Sequence, residues 1–116
     1  ASIYDQLLEP LVKKEIIKLP PKFSTNSSSM STYQNYEIQV KKRDELMEFL
    51  MINGIGTIKQ WGGFSIAHFQ KLGYSIDNFP STKSLFDELM LLPMNHMMKD
   101  YEIEVIANNI IKFFSK

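Results

Sequence analysis

The sequence predicts an α+β fold, a small antiparallel or mixed sheet of few strands with helices packed on it. Three observations predict it. Residues 33–40 and 55–61 carry strand-like patterns, while several longer stretches carry apolar residues at helical spacing. The chain has 116 residues, 44% of them hydrophobic, which suits one packed core and is too short for two. No internal repeat interrupts the order of elements.

The first helix is expected over residues 3–11, with Leu7, Leu8 and Leu11 at helical spacing and Pro10 kinking or ending it. Residues 16–19 read as a short extended piece, and Pro20-Pro21 keeps the chain extended. Residues 24–32 are rich in Ser, Thr and Asn and predict a polar loop. In residues 33–40, Tyr36, Ile38 and Val40 alternate with Asn35, Glu37 and Gln39, as in a half-buried strand. Lys41-Lys42-Arg43 predicts a solvated turn.

Residues 44–53 form the next predicted helix, with Leu46, Phe49 and Leu50 as its stripe and Asp44 and Glu45 at the positive end of its dipole. Asn53-Gly54 ends it, glycine taking the left-handed conformation cheaply. Residues 55–61 predict the second strand, running into Gly62-Gly63. A short helix over 65–72 would bury Ile66, Phe69 and Leu72. Another, opening at Phe79-Pro80-Ser81 and capped by Ser81 or Thr82, would reach about Leu92 and bury Leu85, Phe86, Leu89 and Leu92. The last helix is expected over 100–114 on Ile103, Ile106, Ile110 and Phe113. With so small a sheet, polar substitution of Ile38 or Phe113 is expected to be among the more damaging changes.

Composition narrows function. With no cysteine, the chain has no disulfide, thiolate zinc site or cysteine nucleophile, and it fits a reducing, cytoplasmic setting. Thirteen Lys+Arg balance thirteen Asp+Glu, and Arg43 is the sole arginine, so nothing resembles a nucleic-acid-binding face. Apolar runs such as Phe49-Leu50-Met51-Ile52 are far shorter than the about 20 residues a spanning helix needs, so no membrane segment is expected. His68 and His96 lack partners at metal-ligand spacing, and structural or surface roles are expected for both. Neither a paired acid and base nor a phosphate-binding motif is present. The seven methionines read as core fillers rather than as an adaptable binding surface. The most unusual local feature is Gln60-Trp61-Gly62-Gly63. An indole beside two glycines either rims a site or packs over the sheet edge.

Ordered pieces of the chain also resemble the C-terminal small domain of the DegT-type (DegT/DnrJ/StrS) nucleotide-sugar aminotransferases, pyridoxal-phosphate enzymes of the aspartate aminotransferase fold. These are Tyr33-Gln34-Asn35-Tyr36-Glu37-Ile38-Gln39-Val40, Arg43-Asp44-Glu45-Leu46, Asn53-Gly54-Ile55-Gly56-Thr57, Leu72-Gly73-Tyr74, Asn78-Phe79-Pro80, Leu91-Leu92-Pro93-Met94 and Asp100-Tyr101-Glu102-Ile103. Ile3-Tyr4-Asp5 resembles the helix that links the two domains of that family. The resemblance implies that residues 1–14 are the tail of the interdomain helix and 15–116 the small domain. It implies that a large N-terminal domain, carrying the Schiff-base lysine and the cofactor groups, is absent. None of the twelve lysines sits in a matching motif, so no catalytic, cofactor-binding or metal residue is assigned.

The parent enzyme would move an amino group, typically from glutamate, to a nucleotide-linked keto-sugar, and would work as a homodimer. Its partners would be its own N-terminal domain and the nucleotide-sugar. Gln60, Trp61, Gly62 and Gly63 would rim the substrate cleft. They replace the family's His-Tyr or His-Phe pair and proline-rich stretch, which bears on sugar specificity. Lys99 replaces the usual capping Thr or Ser, leaving Asp100 to take over the cap. A severed domain should expose apolar residues where the large domain packed, with Tyr4, Leu7, Leu8, Met97 and Met98 as candidates. Two alternatives are a free-standing nucleotide-sugar-binding or regulatory module and an interaction domain that completes a dimer.

Overall fold

In the computed structural model, residues 1–21 and 35–115 are described. The expected polar loop at 24–32 and the start of the expected strand at 33–34 lie outside them. The elements are α1 (Ser2–Lys13), β1 (Ile17–Lys18), β2 (Tyr36–Val40), α2 (Arg43–Ile52), α3 (Pro80–Glu88), β3 (Leu89–Leu92) and α4 (Asp100–Phe114). The strands form one antiparallel sheet in the order β1-β2-β3. Val40 lies opposite Ile17, Ile38 opposite Met90 and Tyr36 opposite Leu92. The α+β expectation holds.

Alternation along β2 puts Tyr36, Ile38 and Val40 on one face, where all three are fully buried. Met90 and Leu92 of β3 join them in a core with Tyr4, Leu8 and Leu11 of α1, Leu46 and Leu50 of α2, and Ile103, Ile106 and Ile110 of α4. α4 packs against both α1 and α2. On the other face, Gln39 Nε2 donates to Glu88 Oε2 at 2.7 Å. Among the described residues no helix is long and apolar enough to cross a membrane.

Several expectations are corrected. Pro10 lies inside α1 and does not end it. Its ring forfeits one helix bond on an exposed face, while the buried Tyr4, Leu8 and Leu11 hold the helix on the core. Tyr4 and Leu8 are therefore not part of an exposed patch. Tyr4 donates its hydroxyl to Pro93 O at 2.6 Å and stacks on Tyr36 with ring centroids 4.8 Å apart. Tyr36 in turn donates to Asp5 Oδ1 at 2.5 Å. Of the other candidates, Leu7 and Met98 are half-buried and Met97 is exposed.

Arg43 is not in a solvated turn. It opens α2, is 6% exposed, and its Nη1 donates to the carbonyls of Phe86 and Leu89. Those carbonyls lie where α3 ends and β3 begins. The helix expected to reach Leu92 stops at Glu88, because 89–92 gain strand partners in β2 and the freed carbonyls gain a guanidinium. Neither Ser81 nor Thr82 caps α3; Phe79 is its N-cap residue and Pro80 its first helical residue. At α4, Glu102 rather than Asp100 closes the N-terminus, accepting from Lys99 N at 2.7 Å.

Candidate functional site

The segment from Ile55 to Phe79 joins α2 to α3 and carries the glycine pair singled out in the sequence. Asn53 Nδ2 donates to Phe49 O, and Gly54 turns left-handed with φ +80°, so α2 ends as its sequence requires. Ile55 is buried beside it. The expected strand at 55–61 does not form. A single antiparallel bridge joins Ile58 to Leu91, with Leu91 N donating to Ile58 O at 2.8 Å. Burial alternates over residues 55–59 as in a strand, but only Ile58 pairs, with Leu91. The chain then turns at once.

That turn is a single 3-10 turn over Gln60–Gly63. Gln60 is half-buried, and Trp61 occupies its second position. Gly62 and Gly63 adopt φ +67° and +84°, values that L-residues adopt only with strain. A Cβ on Gly63 would also meet Lys59 Cδ at 3.3 Å. The Lys59 stem thus passes beneath Gly63, and its Nζ reaches Asp44 Oδ1 at 3.1 Å. The hydrogen bond from Lys59, with help from Arg43, holds the Asp44 carboxyl below its ordinary value. The turn touches both α3 and β3.

The helix expected over 65–72 is two 3-10 turns, Ile66–His68 and Gln70–Leu72. His68 organises the first. Its Nδ1 accepts from Ser65 N at 2.9 Å and lies 3.0 Å from Ser65 Oγ, and its ring meets Phe64 and Phe86 edge-on. This is the structural role expected of it, and His96 is exposed. The stripe expected to be buried is not. Phe64, Ile66, Phe69, Leu72, Tyr74 and Phe79 leave 42–67% of their surface open. Ser65, Ile66, Ala67, Tyr74, Phe79 and Thr82 line a shallow, open groove of about 430 Å³.

Among the described lysines only Lys59 is not exposed, and it is committed to Asp44. No cluster of three metal-ligating groups occurs among the described residues.

The model of the DegT/DnrJ/EryC1/StrS aminotransferase family matches residues 1–111. The chain belongs to this family. A curated relative, the "Pleiotropic regulatory protein" of Geobacillus stearothermophilus, is 27% identical over 98% of this chain and 30% of its own length. The aminotransferase TlmJ of Streptoalloteichus hindustanus superposes on 94% of the chain with a TM-score of 0.71 at 17% identity, matched over 29% of TlmJ. DesV of S. venezuelae, solved with a ketimine intermediate, gives 0.70 at 20% identity over 99% of the chain and 31% of DesV. These likenesses are of fold. The DegT-family chain described here spans about 30% of the length of the proteins it matches.

Within this DegT-family chain, the glycines of the 60–63 turn were legible because only a turn asks for two in succession. Asp44, Lys59 and Arg43 were missed as its support. Arg43 and Asp44 are neighbours at the start of α2, but Lys59 lies beyond that helix, and no local spacing joins it to them.

Proposed function

We propose that this chain serves as the small domain of a pyridoxal-phosphate-dependent sugar aminotransferase, with residues 1–14 as the end of the interdomain helix and 15–116 as the domain proper. The enzyme transfers an amino group from glutamate to a nucleotide-linked keto-sugar, in the cytoplasm and as a homodimer. The bound cofactor supplies the electron sink. The Schiff-base lysine comes from a large domain, and this chain orients the sugar at the rim of Gln60, Trp61, Gly62 and Gly63. The observation that carries the reading, beyond family membership, is the run of exposed aromatic and aliphatic residues at 64–79 beside that rim. Such a run is what a domain leaves open where another body covers it.

The test joins this chain to the large domain of a family member and supplies glutamate with a panel of nucleotide-linked keto-sugars. Mass spectrometry should find an aminated sugar with the fused protein and none with the chain alone. Turnover by the chain alone, or none by any fusion that binds the cofactor, would reject the reading.

A second reading is a free-standing nucleotide-sugar-binding or regulatory module, and the name of the Geobacillus relative favours the regulatory part of it. Calorimetric titration of the chain with the same nucleotide-sugars separates the two. Tight binding without amination by the fusion supports the module.

A further inference from the structure

We infer that Asp44 is a positioning residue for the Gln60–Gly63 turn, acting through Lys59. Two consecutive anchors lead into the turn. One is the Ile58–Leu91 backbone bridge. The next residue, Lys59, extends its side chain to Asp44 Oδ1 at 3.1 Å. The same oxygen accepts from Arg43 Nε at 3.1 Å, and Arg43 is itself fixed to the carbonyls of Phe86 and Leu89. Asp44 thus transmits the position of a buried guanidinium to the residue that leads into the turn.

Gly63 supplies the third observation. Its missing side chain leaves the passage through which the Lys59 stem runs, since a Cβ there would stand 3.3 Å from Lys59 Cδ and 3.8 Å from Lys59 Cβ. The glycine, the lysine and the aspartate therefore act as one latch. The consequence for the sugar rests on the reading of Gln60–Gly63 as a cleft wall; the latch itself does not.

Amide hydrogen exchange of the full chain, read by mass spectrometry on peptides spanning 58–64, tests the latch without any substrate. Failure here leaves the aminotransferase reading intact, and failure of amination leaves the latch intact. The variants are Asp44→Asn, Lys59→Met, their double, and Lys59→Arg, with peptides of α4 as internal reference. A partly exposed ion pair of this kind shifts a local equilibrium by about 1.5- to 5-fold. Asp44→Asn and Lys59→Met should each speed exchange at 58–64 by that factor and leave α4 unchanged. The double variant should be no faster than either single, because both remove one link. Lys59→Arg should restore slow exchange. Unchanged exchange in both single variants, summed effects in the double, or a Lys59→Arg variant as fast as Lys59→Met would each overturn the inference.

Discussion

Replacing Arg43 with methionine should be among the most damaging single changes outside the apolar core. Methionine keeps an unbranched stem as far as the position of Nε and removes the rest of the guanidinium. The carbonyls of Phe86 and Leu89 then lose their donor at the C-terminal end of α3, where unpaired carbonyls concentrate negative potential. A hydrogen bond to a charged group contributes about 1.5–3 kcal/mol. Two such bonds, discounted for water that can reach a helix end, give about 3 kcal/mol. Relief of burying the guanidinium works the other way, yet removing one partner alone leaves the other partners' polar groups uncompensated. For a domain of this size, about 4 °C per kcal/mol puts the melting point down by about 12 °C. Thermal melts followed by circular dichroism, with urea titrations to confirm an unchanged m-value, read the effect. Arg43→Lys should recover about half, because an ammonium lacks the fork that spans two carbonyls. Asp44→Asn should cost under about 1 kcal/mol, since that carboxylate is 67% exposed. An Arg43→Met variant within about 1 kcal/mol of the parent refutes the argument. So does an Asp44→Asn variant as unstable as Arg43→Met, which would assign the effect to the ion pair instead.

Three further predictions follow from the core and the turn. Tyr4→Phe should cost about 1–2 kcal/mol by orphaning Pro93 O in urea titration. Burial raises the Tyr4 pKa well above its ordinary 10.0, so the neutral phenol is favoured in the fold. The associated stability is full below about pH 10 and falls as pH rises, because the unfolded chain releases its proton first; Tyr4→Phe should weaken that alkaline fall. Gly63→Ala should cost about 2 kcal/mol and Gly62→Ala about 1 in thermal melts, since both require a left-handed alanine but only position 63 also displaces the Lys59 stem. Ile38→Ala, at the fully buried centre of β2, should cost about 3 kcal/mol, and Phe113→Ala, half-buried against Phe49, clearly less; equal losses in urea titration would mean that burial does not rank them.

Elements whose side-chain period matches their own burial were readable from sequence. β2 alternates strictly, and Ile103, Ile106 and Ile110 put α4 on its core as its spacing requires. β3 was hidden because Leu89-Met90-Leu91-Leu92 satisfies both periods, and Leu85, Leu89 and Leu92 continue the spacing of α3. Pairing with Ile38 and Tyr36, some fifty residues earlier, decides it. Residues 55–61 failed in the opposite sense. They have strand-forming composition but pair only at Ile58. In the candidate site, the glycines announced the turn, while the Asp44–Lys59 contact depends on where α2 begins relative to β3, which no local pattern encodes.

The failed stripe at Ile66, Phe69 and Leu72 carries the most information. A three-residue repeat of large apolar side chains reads as a buried face, and in a 3-10 turn residues i and i+3 eclipse, so the same spacing also suits the turns observed. Apolar periodicity reports that a face is to be buried; it does not report that the chain's own core will bury it. Here the core of α1, α2, α4 and the sheet is closed without these residues, and all three stay more than half exposed. The chain therefore divides into a part whose pattern its own packing satisfies and a part whose pattern it leaves unsatisfied. The unsatisfied part is the segment that holds the glycine turn. On the proposed reading, the residues that fail as a helix are the ones that the rest of an aminotransferase covers, next to the turn proposed to face its sugar.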